Sequence, residues 1–359
     1  MPLVAHNDLP TFERLACEGQ TILERNRARN QDIRELHIGL LNMMPDAALA
    51  ATERQFFRLV GQSNPIAQFY VHPFSLDGLP RGQSGRDHIA KYYESFGDIR
   101  RRGLDALIVT GANVTQPNLS DEPFWKPLIE VVDWAHENVT SILCSCLATH
   151  AVMEFRYEQK RRRMESKRWG VFSHTVTERS HPLVKDVNTR FDVPHSRFND
   201  VSFSQFEAAG VNVLARSEVA DVHLAVSEDG FRFVFFQGHP EYDTISLLKE
   251  YKREVNSFID GVSDYPPFPE GYFSAHAAAV LEEYEDRLRR ARGKGEELPE
   301  LPEDLIVPSI HNTWHDTGEA VVGNWIGLVY QLTNTERARP FMSGVDPKDP
   351  LGWKRAAES

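Results

Sequence analysis

Three side chains of this sequence have the types that nucleophilic acyl transfer needs: the Cys146 thiol, the His239 imidazole and the Glu241 carboxylate. Cys146 follows the run Thr140-Ser141-Ile142-Leu143-Cys144-Ser145 and precedes Leu147-Ala148-Thr149-His150. The first run predicts a short central strand, and Leu147 to about Arg161 predicts a helix. A thiol at such a turn sits at the carboxyl edge of a sheet, facing the positive end of the helix dipole. That field, with a nearby imidazolium, raises the thiolate fraction. His239 and Glu241 flank Pro240, which fixes its own φ and pushes His239 toward an extended conformation. Residues two apart in an extended chain project to one side, so the carboxylate is placed to select the imidazole tautomer and stabilise the imidazolium.

Each of these residues also has a plainer reading. A lone cysteine after a strand is more often a buried apolar residue than a nucleophile. Cys144, inside the expected strand, fits that description better than Cys146. Gly238-His239-Pro240-Glu241 is a weak signal by itself and gains its meaning from Cys146. His150, four residues after Cys146, shares its helix face and is an alternative base that is expected instead to pack or bond locally.

The rest of the chain must position this set. Its 359 residues permit one large α/β domain with additions, and the apolar content of 41% and charged content of 26% are ordinary for a globular protein. A net charge of −12 implies no broad basic surface and argues against a nucleic-acid partner. The basic cluster Lys160-Arg161-Arg162-Arg163 reads as a solvated helix end. Three cysteines, Cys17, Cys144 and Cys146, make no disulfide framework and no zinc site by themselves, so a reducing cytoplasmic setting without a metal is expected. No apolar run approaches a membrane span, and Met1 to Asn7 lacks a basic-then-apolar signal pattern.

Strand-like runs at 36–44, 66–71, 104–110 and before Cys146 alternate with helical stretches at 47–60 and 125–137. This is the βαβ pattern of a doubly wound, mostly parallel sheet. A single helix is expected at about Thr11 to Arg27, and Gly78–Gly97 as a loop with a helix. Short runs from about Trp169 to Gln237 predict an antiparallel half that returns to the sheet. A charged helix follows at about 275–292, an exposed linker at 293–303 and an amphipathic helix at 317–332. The expected organisation is therefore a helical lead-in at 1–34, an α/β domain at 35–265, a helical extension with its linker at 266–332 and a polar tail at 333–359.

In this order and spacing the residues resemble the homoserine O-acyltransferases of the MetA type, which carry a class I glutamine amidotransferase-like, flavodoxin-like fold. The resemblance spans roughly residues 35–260, with a weaker echo at 312–332. It rests on Leu41-Asn42-Met43-Met44-Pro45 with Thr52, Glu53 and Gln55; on Thr110-Gly111-Ala112; on Lys167 to Phe172; on Pro194-His195-Ser196-Arg197; and on Gly238 to Asp243. It implies Cys146 as the acyl-thioester nucleophile, His239 as proton acceptor and Glu241 as its partner. It also implies Lys167, Ser196 and Arg253 as substrate contacts, Thr115 at the position associated with acyl-donor choice, and backbone N–H groups of Ala112 and Leu147 at the oxyanion. The matching activity is ping-pong transfer from succinyl-CoA to the hydroxyl of L-homoserine in methionine biosynthesis, by a homodimer, with a CoA thioester as co-substrate and no other cofactor. A small neutral Thr115 favours succinyl over acetyl, because glutamate there would repel the free carboxylate of a succinyl group.

The sequence departs from the pattern at two blocks. Asn113 and Val114 stand where the family usually has proline and an aliphatic residue, and Thr115 stands at the donor position, where it usually has Gly or Glu. Leu147-Ala148-Thr149-His150 replaces Trp-Gly-Ala-Gln after the nucleophile. The competing readings are transfer of acetyl from acetyl-CoA, a glutamine amidotransferase-like cysteine hydrolase using the same three groups, and a non-catalytic binding protein on the same fold.

Overall fold

A computed structural model describes residues 3–30, 33–63 and 67–354. Its eleven strands form one sheet, in the order β2-β1-β4-β3-β5-β6-β11-β10-β9-β7-β8. They are β1 Leu3–Ala5, β2 Ile22–Glu24, β3 Glu35–Leu41, β4 Gln68–Phe74, β5 Ala106–Val109, β6 Ser141–Ser145, β7 Arg162–Val176, β8 Arg190–Asp200, β9 Asn212–Ser217, β10 Asp221–Val226 and β11 Phe233–Phe236. The strands from β2 across to β11 pair in parallel, and those from β11 across to β8 pair antiparallel. The expected mostly parallel, doubly wound α/β sheet with an antiparallel half is the fold observed.

Central strands are apolar throughout because both faces are covered. β3, β4, β5, β6 and β11 are almost wholly buried. One face carries Asp46–Gln62 and His315–Leu332, whose Phe57, Val60, Trp325 and Ile326 join the first core. The other carries Trp125–Asn138 and Leu147–Tyr157, with Val131, Val132, Ala151 and Val152 in a second core. The helices Ser246–Ile259 and Ala275–Lys294 close a third core of Tyr251, Tyr284, Leu288 and Trp314. After β3 the chain passes outward to β4, and β5 returns to the opposite side of β3. The carboxyl ends of β3 and β5 therefore flank a topological switch point, where open α/β sheets bind ligands.

Several elements differ from expectation. The single N-terminal helix is instead a helix at Pro10–Cys17, the short strand β2 and a helix at Arg25–Arg29, and β1 precedes them. The second expected strand begins at Ile66, which lies outside the described residues; β4 runs on to Phe74. The helix after Cys146 stops at Tyr157, because Glu158 adopts a left-handed conformation at φ 57° and ends it. Residues 158–161 form a connection to β7 rather than extending the helix. The tail beyond 354 lies outside the described residues. No helix among those described is long and apolar enough to cross a membrane.

Candidate active site

Cys146 lies between β6 and the helix Leu147–Tyr157 with φ 53° and ψ −107°, a conformation that costs a non-glycine residue of order 1–3 kcal/mol. The surroundings hold it there. Its backbone N–H donates to the Phe236 carbonyl at 2.8 Å, at the end of β11. The Thr149 hydroxyl lies 3.0 Å from the Cys144 carbonyl and 2.8 Å from that of Phe236. His150 Nε2 donates to Gln237 Oε1 at 3.0 Å. Gln237 also accepts from the Val201 N–H and donates to the Val201 and Val222 carbonyls. Thr149 and His150, two departures from the expected block, thus tie the helix after Cys146 to the strand that leads to His239. His150 Nε2 is committed to this bond, and burial pushes the imidazole pKa down to about 4. Cys144 is buried in β6, where burial pushes its thiol pKa up, as befits an inert core residue.

The neighbouring strand end delivers His239. His239 donates from Nδ1 to Glu241 Oε1 at 2.8 Å, so the spacing of two residues does bring the pair together. This leaves Nε2 for Cys146, and a side-chain hydrogen bond joins the two. Burial opposes the imidazolium, but the charges of Glu241 and the Cys146 thiolate, with hydrogen bonds to both, hold the His239 pKa well above its ordinary value. Tyr242 stacks on the imidazole with ring centres 4.4 Å apart. Gly238 must lack a side chain, since a Cβ there would lie 2.4 Å from Val193 Cγ1 and 2.9 Å from His195 Nε2. On the facing strand end, a Cβ at Gly111 would lie 3.7 Å from the Cys146 Cβ and 3.6 Å from Met44 Sδ, so this loop packs beside Cys146. Leu147 opens its helix, where first-turn N–H groups have no intrahelical acceptor, and Ala112 follows Gly111 beside it.

Lys167 and Ser196 meet on a residue that the sequence reading passed over. Glu250 accepts from Ser196 Oγ at 2.6 Å, from Lys167 Nζ at 3.2 Å and from the Tyr242 hydroxyl at 2.8 Å. Its carboxyl is buried, which favours the neutral form. Lys167, these hydrogen bonds and the His239 charge outweigh that and hold the pKa below the usual carboxylate range. Glu250 belongs to Ser246–Ile259, a helix not assigned from the sequence, whose Leu247, Leu248, Tyr251, Val255 and Phe258 form its buried face. Arg253 stands one turn further on the same helix, with its side chain 65% exposed and its guanidinium 4.0 Å from the Glu254 carboxylate.

Thr115 is exposed, in the loop after β5. Its N–H and that of Gln116 donate to the buried Glu122 at 2.5 and 2.7 Å, which fixes the loop. Arg161 is not the solvated helix end that its basic cluster suggested. It is half-buried and donates from one Nη to the Gln116 carbonyl at 3.2 Å; its other Nη and its Nε are sealed from solvent without a partner. Burial lowers its pKa, and the charges of Glu154, Glu122 and the Cys146 thiolate act against this. A cation with unspent donors therefore sits within electrostatic reach of Cys146. A cavity of about 970 Å³ lined by Arg162, Arg163, Lys167, Trp169 and Phe198 shares Lys167 with the site, although neither Cys146 nor His239 lines it.

The family model described as homoserine O-succinyltransferase matches residues 2–335. A homoserine O-succinyltransferase of Allochromatium vinosum is 68% identical over 353 residues, covering 98% of this chain and 99% of the relative. One of Nitrosococcus oceani is 66% identical over 356 residues, covering 99% of each. Among solved structures, a glutamine amidotransferase from Thermotoga maritima matches with a TM-score of 0.47 at 9% identity, over 82% of this chain and 97% of that one.

Proposed function

The chain belongs to the homoserine O-succinyltransferase family, and from that premise we propose that it transfers succinyl from succinyl-CoA to the L-homoserine hydroxyl in two steps through Cys146. In the first step the Cys146 thiolate attacks the thioester carbonyl. The carbon–sulfur bond to CoA breaks, and the departing thiolate takes the proton held on His239 Nε2. In the second step His239 Nε2 accepts the homoserine hydroxyl proton, the oxygen attacks the acyl-cysteine, and the Cys146 thiolate leaves. Glu241 fixes the tautomer that makes both transfers available. The N–H groups of Leu147 and Ala112 serve the oxyanion, each such donor being worth about 10²–10³ in rate.

Substrate recognition follows from charge. The homoserine ammonium suits the Glu250 carboxylate beside Ser196, and its carboxylate suits Lys167, with Arg253 able to approach from the helix rim. The unspent donors of Arg161 suit the free carboxylate of a succinyl group, and Thr115 adds no charge of its own to the loop that Glu122 fixes. The cavity with Arg162, Arg163 and Trp169 suits the phosphates and adenine of CoA. We take the enzyme to be cytoplasmic, where CoA thioesters and reduced thiols coexist, and to act as a homodimer.

The observation that carries this reading is the unbroken order of Cys146, His239 and Glu241 at the carboxyl edge of the sheet. Incubation with succinyl-CoA in the absence of homoserine should add one succinyl group to the intact protein and release CoA; homoserine should then discharge it. Cys146→Ala should abolish both the adduct and more than about 99.9% of turnover while the circular dichroism spectrum stays unchanged. Wild-type turnover in that variant defeats the proposal.

A further inference from the structure

On the opposite side of the switch point from Cys146, at the β1–β4 end of the sheet, three residues far apart in sequence converge. One donor atom from each of His6, His72 and Glu94 lies within 4.8 Å of the others, the only such group among the described residues. Register brings them there. β1 runs parallel to β4 with Leu3 opposite Phe69, which carries His6 alongside His72, and Glu94 bridges to Phe74. His37, on neighbouring β3, projects to the same face and stacks on His72 with ring centres 5.0 Å apart.

The hydrogen bonds leave one nitrogen conspicuously unused. His6 Nδ1 donates to the Val4 carbonyl at 3.1 Å, so Nε2 carries a bare lone pair; that atom is buried and has no partner. His72 Nδ1 lies 2.6 Å from Glu94 Oε1, while its Nε2 lies 2.8 Å from His37 Nδ1. His37 Nε2 in turn lies 3.3 Å from Glu35 Oε2. A carbonyl behind one imidazole and a carboxylate–histidine pair behind the other are the supports that fix the tautomers of metal-ligating histidines. Burial also favours the neutral imidazole, the form that ligates: the His6 pKa is pushed down to about 4 and that of His72 is lowered.

We propose that His6 Nε2, His72 Nδ1 and a Glu94 oxygen form a binding site for a divalent transition-metal ion, Zn²⁺ by preference, which clips the edge strand β1 to β4. Two imidazoles and a carboxylate suit Zn²⁺, Co²⁺ or Ni²⁺ rather than Mg²⁺ or Ca²⁺. The ion would enter between His72 and Glu94, whose donor atoms must part to about 3.3 Å for tetrahedral bonds of about 2 Å. A cavity of about 200 Å³ lined by His6, Glu35, His37, His72 and Arg102 provides the entry path and room for water as a fourth ligand. Arg102 is paired with Glu94, and Arg25 and Arg29 line the same cavity. These cations oppose a dication, so the site binds less tightly than an all-anionic one. The site stands apart from the acyl-transfer reading and does not depend on it.

The test is a titration of the full-length protein, stripped with chelator, with Co²⁺ alone, reading the visible d–d absorption. One equivalent should bind to the wild type and to Cys146→Ser, which lacks the competing thiol. His6→Ala should lose the band, and Glu94→Gln should bind at least about tenfold more weakly. Zn²⁺ should raise the thermal midpoint of the wild type but not of His6→Ala. A wild type without a saturable band, a band that survives in His6→Ala, or a band that vanishes in Cys146→Ser overturns the site.

Discussion

His239 and His195 are near neighbours across the Gly238 backbone, both removed from solvent, yet their surroundings favour opposite charge states. His195 belongs to a chain whose every proton is assigned. Arg197 Nε donates to His195 Nδ1, His195 Nε2 lies 3.2 Å from His174 Nε2, and His174 Nδ1 donates to the Phe172 carbonyl. An added proton would set two donors against each other, and no carboxylate is at hand to stabilise it. Burial, with Arg197 and the other rings, accordingly pushes the His195 pKa well below its ordinary value, and His174 is pushed down to about 4. His239 has the same burial but hydrogen bonds to Glu241 and Cys146, and its pKa is raised. Burial alone makes a histidine a neutral spacer; a carboxylate on one nitrogen and a thiol on the other favour its charged form and suit it to act as the proposed base.

The largest effect should come from removing the one charge that distinguishes the two rings. Glu241→Gln keeps the size of the side chain but takes away its charge, and its amide can present an N–H to the imidazole and select the wrong tautomer. Its turnover should fall by about 10²–10⁴, with the His239 ionisation in the pH–rate profile displaced downward. Steady-state rates from pH 5.5 to 9 check both. A variant with near wild-type turnover would erase the distinction between the two rings.

The neutral rings should appear instead in stability. A histidine whose folded pKa lies below its unfolded value of about 6.5 costs nothing above that pH. As pH falls, the unfolded chain takes up a proton that the native ring refuses, and stability is lost down to the folded pKa. From pH 7 to 5.5 this amounts to about 1 kcal/mol for each such ring, hence about 3 kcal/mol for His174, His195 and His223 together. His239, raised, contributes with the opposite sign: its stabilisation is present below its unfolded pKa and is lost as pH rises through the folded one. Urea midpoints across this interval should fall steeply toward pH 5.5. A flat profile would show that the trio is not held neutral.

How much of this contrast the chain discloses depends on range along the sequence. Cys146 was legible because an apolar run, a turn and a helix are all local, and His239 with Glu241 because two residues of extended chain set their geometry. The parallel sheet was legible from alternation of long apolar runs with helical stretches. Pieces that depend on distant partners were hidden. β1 and β2 have three residues each, too few for a period of two to show. Arg161 sits in a basic string that reads as solvated, and only the fold turns it inward. Glu250 is one acid among many until the helix Ser246–Ile259 sets it against Ser196 and Lys167. Arg253, singled out by resemblance, remains at the surface.

The mildest perturbation sharpens the comparison furthest. His174→Phe removes the acceptor for the His195 Nε2 proton, and Arg197 prevents His195 from moving that proton to Nδ1. One buried donor is then orphaned, at a cost of about 1–3 kcal/mol. His239 should not respond, since its proton is held by Glu241 and Cys146 and by no member of the trio. The urea midpoint should therefore fall at pH 7, and its decline toward pH 5.5 should become shallower by about 1 kcal/mol because one titrating ring is gone. The pH dependence of kcat/KM should stay superimposable on that of the wild type. If its acidic limb moved instead, the two histidine sets would share their protons, and the separation between spacer and base would fail at the Gly238 backbone.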